Sequence, residues 1–178
     1  AFVLQYGVIP DQLRYTTLLT SMFLHGGIGH ILGNMWFLWV FGRNVEDAMG
    51  SGRYLLYYLV CGLAASLGQV LANPYSTVPM IGASGAISGV MGGYLIRFPR
   101  TPIVTLVFFI FISFVELPAA VLLVYWLVVQ LAGGIGSVAD EATRGGVAWF
   151  AHIGGFAAGA LITRLLPRAR ERYPIQEW

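Results

Sequence analysis

The chain has 178 residues, 57% of them hydrophobic and only 10% charged, with a net charge of +2 and a mean hydropathy of +0.74. Soluble domains carry roughly 25% charged residues, so this composition excludes an ordinary soluble globule. It points to a polytopic membrane protein built as one unit, 1–178, with the lipid bilayer as its surroundings. All ten basic residues are arginines, and they form no patch that suits nucleic acid. The single cysteine, Cys61, lies in an apolar run, has no internal disulfide partner and reads as a packing residue.

Taken in order, residues 1–20 are interrupted by Pro10, Asp11, Gln12 and Arg14. No apolar run there approaches the ~20 residues a spanning helix needs, so the segment reads as an outer interfacial loop. The helical core is expected over 21–166. Its first span runs from Ser21 to Gly42 and carries His25, His30 and Asn34. A polar turn with Arg43, Glu46, Asp47 and Arg53 follows, then a second span from Tyr54 to Ala72 and an uncharged loop, Asn73 to Ala83. Pro79 and Gly82 break that loop and start a third helix at Ser84, which ends near Phe98, before Pro99. Fifteen residues at 1.5 Å each reach about 22 Å, which is roughly 8 Å short of a hydrocarbon core, so one end of this helix lies inside the membrane. Ile103 to Val115 is rich in valine, isoleucine and phenylalanine but too short to span, and is expected to be an extended interfacial connection. The fourth span is Ala119 to Gly136, with Trp126 and Gln130; a polar loop with Asp140, Glu141 and Arg144 leads to the fifth, Val147 to Leu166, and residues 167–178 form an arginine-rich tail.

Arginine asymmetry orients the bundle. Arg43, Arg53, Arg97, Arg100, Arg164, Arg168, Arg170 and Arg172 fall on one side, and Arg14 and Arg144 on the other. The first side is expected to be cytoplasmic, with 167–178 as a cytoplasmic tail. Ser84, His152, His25 and His30 then share the outer half, where ionisable groups in membrane helices read as functional by default. Gly85, Gly89 and Gly93 follow Ser84 at four-residue spacing, and Gly155 and Gly159 follow His152. Small faces of this kind let two helix backbones approach closely. Pressed together, they would bring Ser84 and His152 to hydrogen-bonding range, the geometry of a nucleophile and its base. His30 and Asn34, four apart on one face, can complete an oxyanion site with the Ser84 N–H at a helix N-terminus. No acidic residue falls in a span, so a Ser–His dyad is expected; Asp140 or Glu141 folding back over His152 is the alternative. Three histidines around zinc is another reading, but His25 and His30 are five apart and no carboxylate assists, so no metal is expected. A purely structural histidine cluster bridging the helices is a further one.

His25-x4-His30-x3-Asn34, Gly82-Ala83-Ser84-Gly85 and Ala151-His152-x2-Gly155-x3-Gly159, in that order, resemble the motifs of the rhomboid family of intramembrane serine proteases. The resemblance runs from about Tyr6 to Leu166. It implies an all-α helical bundle with five of the usual six core spans, the first being missing from this chain. It also implies Ser84 as nucleophile, His152 as base, an oxyanion site of His30, Asn34 and backbone N–H groups near Ser84, and His25 as a structural histidine. Gly82, Gly85, Gly89, Gly155 and Gly159 would support the site, and Glu46 would tie the cytoplasmic turn together. Substrates would be single-pass membrane proteins, entering past the 119–136 helix, with no cofactor. The expected location is a bacterial or archaeal plasma membrane, with the site opening to the outside. Some relatives stack an aromatic residue, one turn after the nucleophile, on the histidine; here that place is Ser88, whose hydroxyl could instead donate to His152. A catalytically inactive rhomboid-like protein that binds membrane clients is the alternative function, but that class typically lacks the serine or the histidine and this chain keeps both. A transporter would be expected to show repeats or paired broken helices, and neither is visible.

Overall fold

The computed structural model describes residues 2–108, 112–139 and 147–166. Among them the chain forms seven helices and one β-hairpin. Two short helices, α1 (Phe2–Tyr6) and α2 (Thr17–Thr20), lie in the N-terminal segment with 3₁₀ turns at Pro10–Gln12 and Ser21–Phe23. The longer elements are α3 (Ile28–Met49), α4 (Ser51–Ala72), α5 (Ser84–Arg97), α6 (Ala119–Ala139) and α7 (Trp149–Leu165). Strands β1 (Pro102–Phe108) and β2 (Ile112–Pro118) separate α5 from α6.

Two sequence expectations are corrected. The chain is mostly helical rather than all-α, because 102–118 pairs as an antiparallel hairpin in the register Pro102↔Pro118 to Phe108↔Ile112. β-Branched and aromatic residues favour that pleated state, and the prolines sit at its ends, where a ladder tolerates them. The first long helix lies seven residues further along than expected at each end. Ser21–Phe23 closes a 3₁₀ turn and Gly26-Gly27 interrupt the chain, so the helix begins at Ile28. At the other end the backbone stays helical through Arg43, Glu46 and Asp47 and turns only at Gly50, where φ is +83° and the N–H donates to Glu46 O at 2.7 Å. Among the described residues, two helices are long and apolar enough to cross a membrane by length and composition alone, Ser51–Ala72 and Ala119–Val138. The Asp140, Glu141 and Arg144 loop and the 167–178 tail lie outside the described residues.

Helix α5 is the axis of the fold. Every residue from Gly85 to Tyr94 is buried, which a helix achieves only when neighbours cover all its faces. It packs most extensively on α7, then on α4 and α3. The α5–α7 contact is parallel and backbone-close: a Cβ on Gly155 would run into Gly85 O, and one on Gly159 into the backbone of Gly89. Tyr57 of α4 donates its hydroxyl to Gly89 O at 2.7 Å and accepts from Thr163 of α7 at 3.3 Å, tying three helices at one level. Below it Phe41, Val45, Val90, Met91, Tyr94 and Leu123 close the apolar core.

The N-terminal segment holds the loop that leads into α5. Val8 and Met80 exchange backbone hydrogen bonds at 3.0 and 2.7 Å, and Asp11 N–H donates to Ser76 O at 3.1 Å. The Gly82 N–H donates to Ser21 O at 2.9 Å. So residues 2–21, most of them expected as a loop lying at the interface, brace the approach to Ser84 directly.

Candidate active site

Ser84 is the first residue of α5. The chain reaches it through Gly82, whose φ of +126° is a conformation that favours glycine. Space demands glycine there as well. A Cβ on Gly82 would sit 2.8 Å from His30 Nε2 and 3.6 Å from Ser84 Oγ, so imidazole and hydroxyl face each other across it. As the opening of a helix, Ser84 and the residues after it present N–H groups that have no partner one turn back.

His152 occupies the first turn of α7, where its N–H donates to Ala148 O at 3.2 Å. Gln69 of α4 accepts the neighbouring Ala151 N–H at 3.2 Å, fixing the start of that helix. With the two glycine faces in contact, His152 Nε2 lies 2.9 Å from Ser84 Oγ. That distance, between side chains 68 positions apart in the sequence, is what a serine activated by a general base requires.

His30 stands in the first turn of α3 and Asn34 one turn later. His30 Nδ1 accepts the Gly26 N–H at 3.2 Å. In the neutral ring the proton therefore sits on Nε2, the nitrogen turned to Gly82 and Ser84. Asn34 is buried, and its amide donates to His30 O at 2.9 Å, leaving its second hydrogen for another acceptor. A cavity of about 650 Å³ joins these groups, lined among others by His30, Asn34, Gln69, Ser84, Trp126 and His152. His25 stays outside the long helices, its ring edge-on to His30 with centroids 5.2 Å apart. Its Nε2 is buried without a hydrogen-bond partner. Burial, and then the His30 imidazole beside it, hold its pKa below the usual histidine value.

The structure brings Ser84, His152, His30 and Asn34 to one cavity and places Gly85, Gly89, Gly155 and Gly159 on the seam behind them. Two neighbours of His152 differ from expectation. Ser88 does not reach the imidazole; its hydroxyl donates to Ser84 O at 2.6 Å, one turn back on its own helix. The aromatic partner comes from α6 instead, where the Trp126 ring lies 5.8 Å from that of His152 at 40°. Sequence reasoning found no third member for the serine–histidine pair. Yet Gln130 of α6, 5% exposed, places Oε1 2.8 Å from His152 Nδ1. Its signal was a lone amide inside an otherwise apolar helix; attention to acids alone passed over it.

Residues 12–169 match the family model of the rhomboid domain. The chain is 46% identical over 95 residues to rhomboid protease GluP of Bacillus subtilis (strain 168), covering 53% of this chain and 18% of that protein. It is 34% identical over 145 residues to RHOMBOID-like protein 4 of Arabidopsis thaliana, covering 82% and 32%. Over 159 residues it is 32% identical to RHOMBOID-like protein 1 of the same plant, covering 89% and 36%. The chain thus spans about a third or less of the length of these curated relatives. A bundle centred on a buried glycine helix, a serine and a histidine at its rim and a match over most of the chain agree: the protein belongs to the rhomboid family of integral membrane proteins.

Proposed function

We propose that this chain is an intramembrane serine endopeptidase cutting single-pass membrane proteins by the Ser84–His152 pair. The carrying observation is the 2.9 Å contact between Ser84 Oγ and His152 Nε2 across the α5–α7 seam. In the proposed reaction Ser84 Oγ attacks the scissile carbonyl carbon while His152 Nε2 takes its proton. The oxyanion receives hydrogen bonds from His30 Nε2–H, the free hydrogen of the Asn34 amide and the first N–H groups of α5. His152 then protonates the leaving amine, and water, activated by the same nitrogen, hydrolyses the acyl-enzyme. Side chains and backbone supply every step, so the chemistry calls for no cofactor. The names of its relatives support the reading, GluP being called a rhomboid protease.

In this reading α3 to α7 are the five membrane-crossing helices. Helix α5 has 14 residues, a length of about 21 Å at 1.5 Å per residue against ~30 Å of hydrocarbon. Arg97 and Arg100 hold its end at the cytoplasmic face, and Arg43 and Arg164 lie toward the C-terminal ends of the parallel helices α3 and α7 on that side. The shortfall recesses Ser84 from the outer face, and the cavity over it admits water.

Labelling with a fluorophosphonate tests the nucleophile. Liposome-reconstituted protein is expected to label, and to cleave a single-pass reporter, while Ser84→Ala does neither and His152→Ala loses both by orders of magnitude. Undiminished cleavage by Ser84→Ala would overturn the proposal.

A further inference from the structure

We infer that Gln130 is a positioning residue for this reaction, the third member of a Ser84–His152–Gln130 hydrogen-bonded chain that holds the imidazole in its base-ready tautomer. The inference rests on the proteolytic reading above and deepens it.

The amide can be read in only one orientation. Its Nε2 lies 3.2 Å from Trp126 O, one turn back on α6, and must donate there. Turning the amide over would set its oxygen against a carbonyl oxygen. Oε1 therefore faces His152, and an oxygen can only accept. At 2.8 Å the Nδ1 of His152 must then carry the proton. Its other nitrogen, Nε2, is left with a lone pair aimed at Ser84 Oγ at 2.9 Å. In the opposite tautomer Nδ1 and Oε1 would be two buried acceptors in contact, and Nε2–H would point at the serine, unable to take its proton. Trp126 adds the second constraint, its ring tilted over the imidazole from the same helix, at the position whose carbonyl binds the amide. One turn of α6 thus fixes both the tautomer and the plane of the ring.

Gln130 does the orienting work that a carboxylate does in soluble serine proteases, without a charge. It cannot balance the imidazolium, and it spares an apolar helix a buried anion. Each packed element presents few other groups to His152. From the α3 side His30 shares the cavity; α4 offers the neutral Gln69 and α5 the hydroxyl of Ser84. Among the described residues His30 is therefore the one other titratable group lining the cavity. A carboxylate at position 130 would favour the imidazolium over the neutral ring, so the acid limb of the rate profile would move to higher pH.

The experiment uses the full chain in liposomes, wild type, Gln130→Leu and Gln130→Glu, with cleavage of a single-pass reporter and fluorophosphonate labelling followed from pH 5 to 9. Wild-type protein must label and cleave; if it does not, the proteolytic reading fails, and this inference with it. If it does, Gln130→Leu is expected to lower kcat roughly 30- to 100-fold, less than the ~10⁴ lost when a soluble triad adopts the wrong tautomer, with KM within about twofold. Gln130→Glu keeps the acceptor, so it is expected to recover most of that loss at high pH and to shift the acid limb upward. Wild-type kcat in Gln130→Leu would show that the glutamine merely fills space, and would leave the Ser84–His152 reading standing. Should Gln130→Leu not fold, the glutamate variant decides alone: an unmoved acid limb overturns the inference.

Discussion

Helix α7 meets α5 and α6 in different ways. Against α5 it presents backbone to backbone, with Gly155 over Gly85 O and Gly159 over Gly89. Against α6 it presents side chains: the Trp126 ring stacked on Phe156 at 5.9 Å, His152 on Gln130, and Trp149 against Gly133. The far side of α6 is an exposed apolar face, with Val121, Tyr125, Val128 and Ile135 all more than half exposed. The α5–α7 seam therefore sets where the serine and histidine stand, with a tolerance smaller than a methyl group. The α6 contact sets how the imidazole is turned, through rings and an amide that can repack. A shift of α6 would leave the distance between helices α5 and α7 unchanged but release the Nδ1 hydrogen bond. If membrane substrates pass along α6, as the family resemblance implies, the seam stays closed while the orienting contact gives.

Breaking the seam should have the largest effect. A leucine at Gly159 must push α7 off the Gly89 backbone, which has no flexible atom to yield. Misplacing reacting groups by about 1 Å costs on the order of 10²-fold, and overpacking a tight contact costs about 1–3 kcal/mol. Gly159→Leu is accordingly expected to lose reporter cleavage by at least ~100-fold and to unfold at lower temperature in detergent. Gly52→Leu is the control, since a Cβ there meets nothing within 4 Å. Retained activity in Gly159→Leu would mean the seam does not set the geometry.

How much of this was legible in the sequence depends on what fixes each feature. The seam was, because close backbone approach demands glycine at four-residue spacing and nothing larger. The start of α5 at Ser84 was, because Pro79 and Gly82 allow little else before it. The hairpin was legible as extended chain but not as a pair of strands, since β-propensity does not name a partner. The limits of α3 were not: charges at Arg43, Glu46 and Asp47 read as a turn, yet charged residues extend a helix readily where it leaves the apolar layer. Least legible was the surrounding of His152. Apart from Gln130 and Ser137, helix α6 is apolar all round, so hydrophobic periodicity says little about which way it is rotated. That rotation alone decides whether Trp126 and Gln130 reach the histidine.

Loosening α6 should have a smaller effect than opening the seam. A Cβ on Gly133 would lie 2.6 Å from the Trp149 ring, a side chain that can swing aside. Gly133→Leu is expected to lower kcat by roughly 10-fold, within the range of one weakened orienting contact, with little change in fluorophosphonate access to Ser84. Equal losses in Gly133→Leu and Gly159→Leu would erase the distinction between the two contacts. Tyr57→Phe probes the seam from α4 by removing the hydroxyl shared with Gly89 and Thr163. It should lower stability by about 1–2 kcal/mol, the cost of losing buried hydrogen bonds, and leave kcat within twofold.

The smallest effect is expected at Ser88, where the comparison is sharpest. Ser88 stands on α5, one turn after the nucleophile and fully buried, the place from which some relatives are expected to support the histidine. Its hydroxyl is spent instead on Ser84 O at 2.6 Å, inside its own helix. A serine bonded back to the carbonyl one turn before it adds little to helix stability and often subtracts from it. The carbonyl of Ser84 can also accept the N–H one turn on, so removing the hydroxyl strands no donor and deprives the carbonyl of one of two partners. Ser88→Ala should therefore keep kcat, KM and the pH profile within about twofold, the neutral outcome for a hydroxyl with no buried partner left unmet. Trp126→Leu, by contrast, removes the ring that α6 lays over the imidazole and should lower kcat several-fold at unchanged KM, about the 0.5–1.5 kcal/mol of an aromatic contact. A large loss in Ser88→Ala beside a neutral Trp126→Leu would reverse the assignment, moving support of the histidine from α6 to α5.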